Sequence, residues 1–141
     1  MTGRPNARVA RVAAATALAA LSGTAAAAAM VGDQIVTPSG LIVTYLDDIL
    51  EDQASGGSWL TLRFVSPAIG TGAGKVGYEA VAGDLDALCA GPGLDAAVKL
   101  GGVDEVIITL MDRPVERGIT DPDATMFIGV YLPTESGCVW E

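Results

Sequence analysis

The chain has 141 residues, with 8 lysines and arginines against 17 aspartates and glutamates, a formal net charge of −9, and no histidine. This length suits one small domain, and the acidic balance lacks the basic footprint that a nucleic-acid partner requires. The lack of histidine excludes Ser-His-Asp and Cys-His catalysis and imidazole metal ligands. We therefore expect no nucleic-acid partner, no cofactor and no catalytic residue of the familiar hydrolase types.

Residues 1–29 have the layout of a secretory signal peptide. A basic start with Arg4, Arg8 and Arg11 precedes an apolar stretch from Val12 to Leu21, and small residues follow up to Ala29. The apolar stretch is too short to cross a hydrocarbon core, which needs about 20 residues. We predict Sec-type cleavage near Ala29, a periplasmic or secreted location, no membrane anchor after cleavage, and one domain over residues 30–141.

Cleavage would make the mature chain more acidic and place its cysteines in an oxidising compartment. Five basic residues would remain against 17 acidic ones, a net charge of −12. Cationic peptides or divalent ions are the natural counterparts of such a charge, although a solvated acidic surface explains it as well. Cys89 and Cys138 are the only cysteines, and their wide spacing indicates a structural disulfide rather than a redox-active pair.

The first half of the domain predicts two strands. Residues 41–46 are rich in β-branched and aromatic side chains and follow the turn signal Pro38-Ser39-Gly40. Asp47 and Asp48 then predict a single capped helical turn at residues 49–51. Residues 59–66 alternate, with Leu60, Leu62 and Phe64 on one face, which predicts a half-buried strand.

The second half predicts one broken helix and three further strands. Apolar residues recur at helical spacing over residues 78–90, with Tyr78 and Cys89 on the buried stripe. Gly91-Pro92-Gly93 interrupts the helix, which resumes over residues 94–100 with Leu94, Ala97 and Val98 facing inward. Strands follow at 106–111, apolar on both faces, at 124–132, weakened at Gly129, and at the C-terminus near Cys138. The order ββαββ plus a short last strand predicts an α+β domain with a mainly antiparallel sheet.

The glycine-rich segment 70–77 and two pairs of carboxylates offer only weak chemical signals. The segment lacks the spacing of a Walker loop, and its single match to the dinucleotide pattern is more typical of a surface loop. Asp47-Asp48 and Asp84/Asp86 supply paired carboxylates, but neighbours in sequence seldom face one substrate, and helix termini and solvated faces explain both pairs.

The segment from Asp112 to Asp123 is the candidate contact site, because it follows the central strand. Arg113 either binds a carboxylate or phosphate, or is held by Asp112 or Glu116 to fix the loop. No metal site is predicted, since Asp121 and Asp123 lack the glycine and terminal glutamate of an EF-hand and suit a capped turn, although they are the best-placed carboxylates for one. Trp59 and Trp140 are either an aromatic binding platform or buried anchors.

Several short motifs together resemble a known family. They are Pro38-Ser-Gly40, Trp59-Leu-Thr-Leu-Arg-Phe64 with Pro67, Tyr78-Glu79, Asp84-Leu-Asp-Ala-Leu-Cys89, Ile107-Ile-Thr-Leu with Asp112-Arg113, Asp121-Pro122 and Cys138-Val-Trp-Glu141. Over about residues 35 to 141 the chain resembles small exported alphaproteobacterial proteins whose domain has no assigned function. The resemblance implies a secreted or periplasmic location and the pairing of Cys89 with Cys138, and it implies no activity.

These observations favour a non-enzymatic exported domain that binds a protein or small ligand through the Asp112–Asp123 loop and nearby aromatic residues. One alternative is a periplasmic enzyme that uses carboxylates or a divalent cation, suggested by the acidic excess and by Asp112, Asp121 and Asp123. Another is a ferredoxin-like regulatory module for a small metabolite such as an amino acid. Modules of this kind usually serve cytoplasmic enzymes, so the predicted signal peptide disfavours it.

Overall fold

The computed structural model describes residues 28–141, together with the isolated residues Gly3 and Thr16. The rest of the predicted signal peptide lies outside the described residues. Within residues 28–141, no helix has the length and apolar character needed to cross a membrane.

Residues 34–140 form six strands and a helical segment. In chain order these are β1 (Gln34–Val36), β2 (Ile42–Asp52), β3 (Ser58–Val65), α1 (Tyr78–Leu88), a π-helical turn (Cys89–Gly93), α2 (Leu94–Lys99), β4 (Glu105–Met111), β5 (Met126–Thr134) and β6 (Gly137–Trp140). The strands lie in one sheet in that same order. Antiparallel pairing joins β1 to β2 to β3 and β4 to β5 to β6, and the helical segment connects the parallel neighbours β3 and β4. The predicted α+β domain with a mainly antiparallel sheet is confirmed.

The core lies between the helical segment and one face of the sheet, referred to below as the inner face. The predicted alternation in β3 is confirmed, because Leu60, Leu62 and Phe64 are all buried. They pack with inner-face residues of β4 and with the buried stripe of α1, which comprises Val81, Leu85 and Leu88. Each large apolar side chain buried in this way contributes about 1.5–3 kcal/mol to the free energy of folding.

The helical segment continues through the glycines and proline at residues 91–93. Pro92 has no amide hydrogen, so the regular bonding of an α-helix is lost there, and the chain widens into the π-helical turn. Since a π turn rotates the residues after it, Ala97 is buried while Val98 is 77% exposed. The prediction that Val98 faces inward is wrong. Tyr78, predicted on the buried stripe, is also exposed, because it stands at the first position of α1.

A disulfide joins the helical segment to the edge strand β6. Cys89 at the start of the π turn is fully buried and bonds to Cys138, with 6.2 Å between their Cα atoms. The predicted pairing is confirmed.

The first three strands differ from the prediction in two ways. The helical turn predicted at residues 49–51 is wrong, because β2 continues to Asp52 and pairs Ile49 with Thr61 and Glu51 with Trp59. Long-range pairing overrides the local capping signal there. Strand β1 was not predicted; it pairs Ile35 with Val43 across a turn that closes where Gly40 takes a positive φ of 87°.

The sheet's other face, the outer face, carries no helix among residues 28–141. On β3 and β4 it presents Trp59, Arg63, Glu105, Ile107 and Thr109, and on β5 it presents Ile128, Val130 and Leu132. The observed order of three strands, one helical segment and three strands also differs from the β-α-β-β-α-β order of a ferredoxin-like module.

Candidate functional site

Residues 112–125, referred to below as the outer-face loop, connect β4 to β5. Both ends of the loop are held together, because the Asp112 amide donates to the Thr125 carbonyl at 3.0 Å and the Thr125 amide donates to Asp112 Oδ1 at 2.9 Å. Asp112 therefore closes the loop whatever else it contacts.

The loop is fixed on the outer face by arginines. Arg63 on β3 donates to both carboxylate oxygens of Asp47, at 2.7 and 2.6 Å, and its Nη1 donates to the Val115 carbonyl at 2.6 Å. These hydrogen bonds to Asp47 raise the pKa of Arg63 above the ordinary value of an arginine. Arg117 forms an ion pair with Glu51 on β2. The loop therefore runs along the outer face of β2 and β3. On the neighbouring strand β4, the outer-face residues Thr109 and Met111 are also buried.

Arg113 is held by its neighbour in the sequence. Its Nε and Nη2 donate to the two carboxylate oxygens of Asp112 at 3.3 and 3.0 Å, while about half of its side chain stays exposed. The Arg113 guanidinium holds the pKa of Asp112 below its usual range, and Asp112, Asp121 and Asp123 together raise the pKa of Arg113. Of the two structural roles predicted for Arg113, contact with Asp112 is the one observed.

Among the acidic residues of the loop, Asp112 contacts Arg113, and the charges of Asp121 and Asp123 also act on its guanidinium. Asp121 Oδ1 accepts the Asp123 amide at 2.9 Å, which is the capped turn expected from the sequence. Among the residues that the structure describes, no three acidic or cysteine side chains gather into a group able to hold a metal ion.

The four predicted contact residues lie in three places. Asp112 and Arg113 lie together at the start of the outer-face loop. Trp59 is on the same face but at the far end of β3, beside Glu51 and Glu105. Trp140 on β6 pairs with Tyr131 on β5 and so belongs to the inner face. The two tryptophans therefore do not form one aromatic platform.

The paired carboxylates have separate structural partners. Asp84 is buried and accepts two hydrogen bonds from Ser39, from its amide at 3.0 Å and its hydroxyl at 2.5 Å. Asp86 accepts the Tyr131 hydroxyl at 2.7 Å, and Asp48 accepts the Tyr45 hydroxyl at 2.8 Å. Burial, and then these hydrogen bonds, raise the pKa of both tyrosines. Neither pair of carboxylates is arranged around one reacting atom.

The glycine-rich segment is closed on itself in the same way. Lys75 Nζ donates to the Pro67 carbonyl at 3.0 Å, and Val76 bridges to Ile69. The lysine that would meet a phosphate in a nucleotide loop therefore contacts the protein's own backbone.

The larger cavities beside the helical segment are open. One of about 640 Å³ is lined mainly by apolar residues, including Leu94, Val98, Val103 and Pro133. Another of about 360 Å³ lies where Met30 and Val31 approach α2. Within the described part of the chain, every buried side-chain nitrogen or oxygen already has a hydrogen-bond partner, so neither cavity is lined by a buried polar group left over for a ligand.

The outer face also carries an exposed apolar surface that was not predicted from the sequence, referred to below as the outer strip. It consists of outer-face residues that the loop leaves uncovered: Trp59, Ile107, Ile128, Val130, Leu132 and Val139. Ile128 and Val139 are each 50% exposed, and Leu132 is 41% exposed. The signal for the strip is the alternation in β5, which places Ile128, Val130 and Leu132 on the face opposite Tyr131.

Two carboxylates border the outer strip. Glu105 lies opposite Trp59 in the register of β3 and β4, and Glu141 follows β6, where its amide donates to the Val130 carbonyl at 3.0 Å. Partial burial, and then the adjacent carboxyl of Glu141, raise the pKa of Glu105. The strip therefore combines apolar area with two neighbouring acidic groups.

These features define a small disulfide-linked α+β domain with one helical layer and a partly uncovered sheet face. The chain belongs to a family of unknown function (DUF6497), whose model matches residues 13–141. Searches of curated proteins and of solved structures gave no match to the chain.

Proposed function

We propose that this protein is an exported, non-enzymatic domain that binds a protein partner through the outer face of its sheet. The observation that carries the proposal is the outer strip, a contiguous apolar surface on a face that no helix among residues 28–141 covers. Exposed apolar patches of this kind mark interaction sites in monomeric proteins. The outer-face loop, with Asp112 and Arg113, borders the same face and belongs to the proposed contact surface.

The form of the surface favours a protein over a small molecule. Small-molecule sites are concave and enclose most of their ligand, with a few polar groups to orient it. The outer strip is instead spread over β3 to β6, and its largest side chains point away from the sheet. A protein surface is the occupant that matches this shape.

Export is supported by the sequence of residues 1–29 and by the disulfide. Disulfides persist in oxidising compartments and are rare in the cytosol. The test is the intact mass of the protein recovered from the periplasmic and cytosolic fractions of its host. We expect a periplasmic species that begins near Met30 and is two hydrogens lighter than the reduced chain. A full-length species confined to the cytosol contradicts export.

Binding is tested by photo-crosslinking in cells at one residue on each side of the molecule. A crosslinking amino acid replaces Ile128 on the outer strip or Val98 on α2, both of which are exposed apolar positions. We expect a discrete protein adduct from position 128, absent from position 98 and lost when Leu132→Asp is added. Equal adducts from both positions, or none from position 128, contradict the proposed surface.

A further inference from the structure

We infer that the outer strip receives a cationic amphipathic protein segment whose lysines or arginines contact Glu105 and Glu141; this inference rests on the proposed function. The occupant is defined by two properties of the surface. Its apolar residues require an apolar stripe on the partner, and its two carboxylates require positive charge beside that stripe.

The aliphatic part of the outer strip is continuous across β4, β5 and β6, and Trp59 lies beside it on β3. The register places Ile107 beside Val130 and Leu132 beside Val139, and Ile128 lies on the same face of β5. Neighbouring strands are about 4.8 Å apart, so the distance from β4 to β6 is roughly 10 Å. This width matches an α-helix, whose diameter with side chains is about 10–12 Å. One face of an amphipathic helix therefore covers the strip.

Among residues 28–141, the carboxylates beside the strip have no cationic partner. Within the described residues, the ion pairs join Arg63 to Asp47, Arg113 to Asp112, and Arg117 to Glu51. None of these arginines is paired with Glu105 or Glu141, which lie close enough to interact unfavourably with each other. An ammonium or guanidinium group placed between them would remove this like-charge repulsion. The surface gains more from a basic partner than from a neutral one.

Charge also excludes the competing occupants. A second copy of this chain would bring the same carboxylates and a net charge of −9, or −12 after the predicted cleavage, against this surface. Anionic lipid and nucleic acid are repelled in the same way. A basic protein segment is the occupant that satisfies both the apolar area and the acidic border.

The test uses two synthetic 18-residue helical peptides, one of leucine and lysine and one of leucine and glutamate in the same pattern. Trp140→Phe leaves Trp59 as the sole tryptophan, so its fluorescence reports contact at the outer strip. We expect the lysine peptide to shift the Trp59 emission and to bind, with an affinity that falls as salt is added, and the glutamate peptide to do neither.

The acidic border is tested by a matched pair of double variants. Glu105→Gln with Glu141→Gln removes two charges at the strip, and Glu79→Gln with Asp95→Asn removes two exposed charges from the helical segment. We expect the first pair to weaken binding of the lysine peptide by about tenfold and the second to change it less than about twofold. Circular dichroism confirms that each variant is folded.

Four outcomes overturn the inference. Equal weakening by the two double variants would show a general effect of net charge, and equal binding of the two peptides would show that charge plays no part. A dimer in sedimentation that Ile128→Asp dissociates would show that a second copy fills the strip. If crosslinking at position 128 succeeds while the glutamine variants bind the lysine peptide normally, the proposed function stands and the cationic partner is wrong.

Discussion

At the scale of single residues, Asp84 has the most consequential role, because this buried carboxylate on α1 holds the turn before β2. It accepts both the amide and the hydroxyl of Ser39. Asp84→Ala removes both of these hydrogen bonds to a buried carboxylate, and we expect it to lower the free energy of unfolding by on the order of 3 kcal/mol. Ser39→Ala removes only the hydroxyl bond and should cost about 1 kcal/mol. Urea unfolding measures both, and equal losses from the two variants contradict this assignment.

Asp112 predicts a dependence of stability on pH. Contact with Arg113, and then with the Thr125 amide, lowers its pKa in the folded protein from an ordinary value of 3.8. The carboxylate therefore contributes stability that is present above this ordinary value and is lost as pH falls through the lower, folded pKa. We expect Asp112→Asn to reduce the loss of melting temperature on acidification below about pH 4. Arg113→Ala should have a similar but smaller effect. If both variants lose as much melting temperature below about pH 4 as the unmodified protein, the prediction is wrong.

At the scale of elements, the hydrophobic periodicity of the sequence predicts which side chains of a strand or helix are buried, as long as the element is regular. The alternation in β3 and the helical spacing in α1 placed Leu60, Leu62, Phe64, Leu85 and Leu88 in the core correctly. Strand β1 has three residues and depends on pairing with β2, so its own sequence carries little signal. The side of the helix on which Val98 lies depends on the π-helical turn before it, and a pattern of 3.6 residues per turn does not account for such a turn.

The position of the candidate loop can be predicted from the sequence, but its path over the sheet cannot. The loop after the central strand was identified from its position, and Arg113 contacts its immediate neighbour Asp112. The path of that loop depends on Arg63 and Val115, which are 52 residues apart in the chain. The outer strip likewise exists only once β4, β5 and β6 are aligned. Contacts of this range are a property of the fold and are absent from any short window of sequence.

Two glycines test the packing of elements in opposite directions. A Cβ atom on Gly129 in β5 would lie 2.7 Å from the Tyr131 ring, so Gly129→Ala must displace the ring and its hydrogen bond to Asp86. We expect a loss of about 1–3 kcal/mol in unfolding free energy. A Cβ on Gly83 in α1 meets no atom within 4 Å, so Gly83→Ala should stabilise the helix by up to about 1 kcal/mol. Urea unfolding measures the free energy of unfolding of both variants. A change of the same sign in both contradicts the packing described.

At the scale of the whole molecule, the disulfide covalently joins the helical segment to β6, the last strand at one edge of the sheet. Cys89 is a buried residue of the helical segment, and Cys138 lies in β6, a four-residue edge strand that pairs with β5 alone. The bond closes a loop over a sequence separation of 49, which in the chain-entropy model contributes about 4 kcal/mol to stability. For a small domain this is a large part of the net free energy of folding.

Reduction should therefore destabilise the protein and loosen β6 before the rest of the sheet. We expect a reductant to lower the melting temperature and to speed amide exchange at residues 137–140, while β3 and β4 keep their protection until global unfolding. The variant Cys89→Ala with Cys138→Ala serves as the control, because it should match the reduced protein and ignore the reductant. Equal stability of oxidised, reduced and alanine forms would show that the core alone fixes β6. A large difference would mean that the chain reaches its full stability only in an oxidising compartment, which is where the proposed export would deliver it.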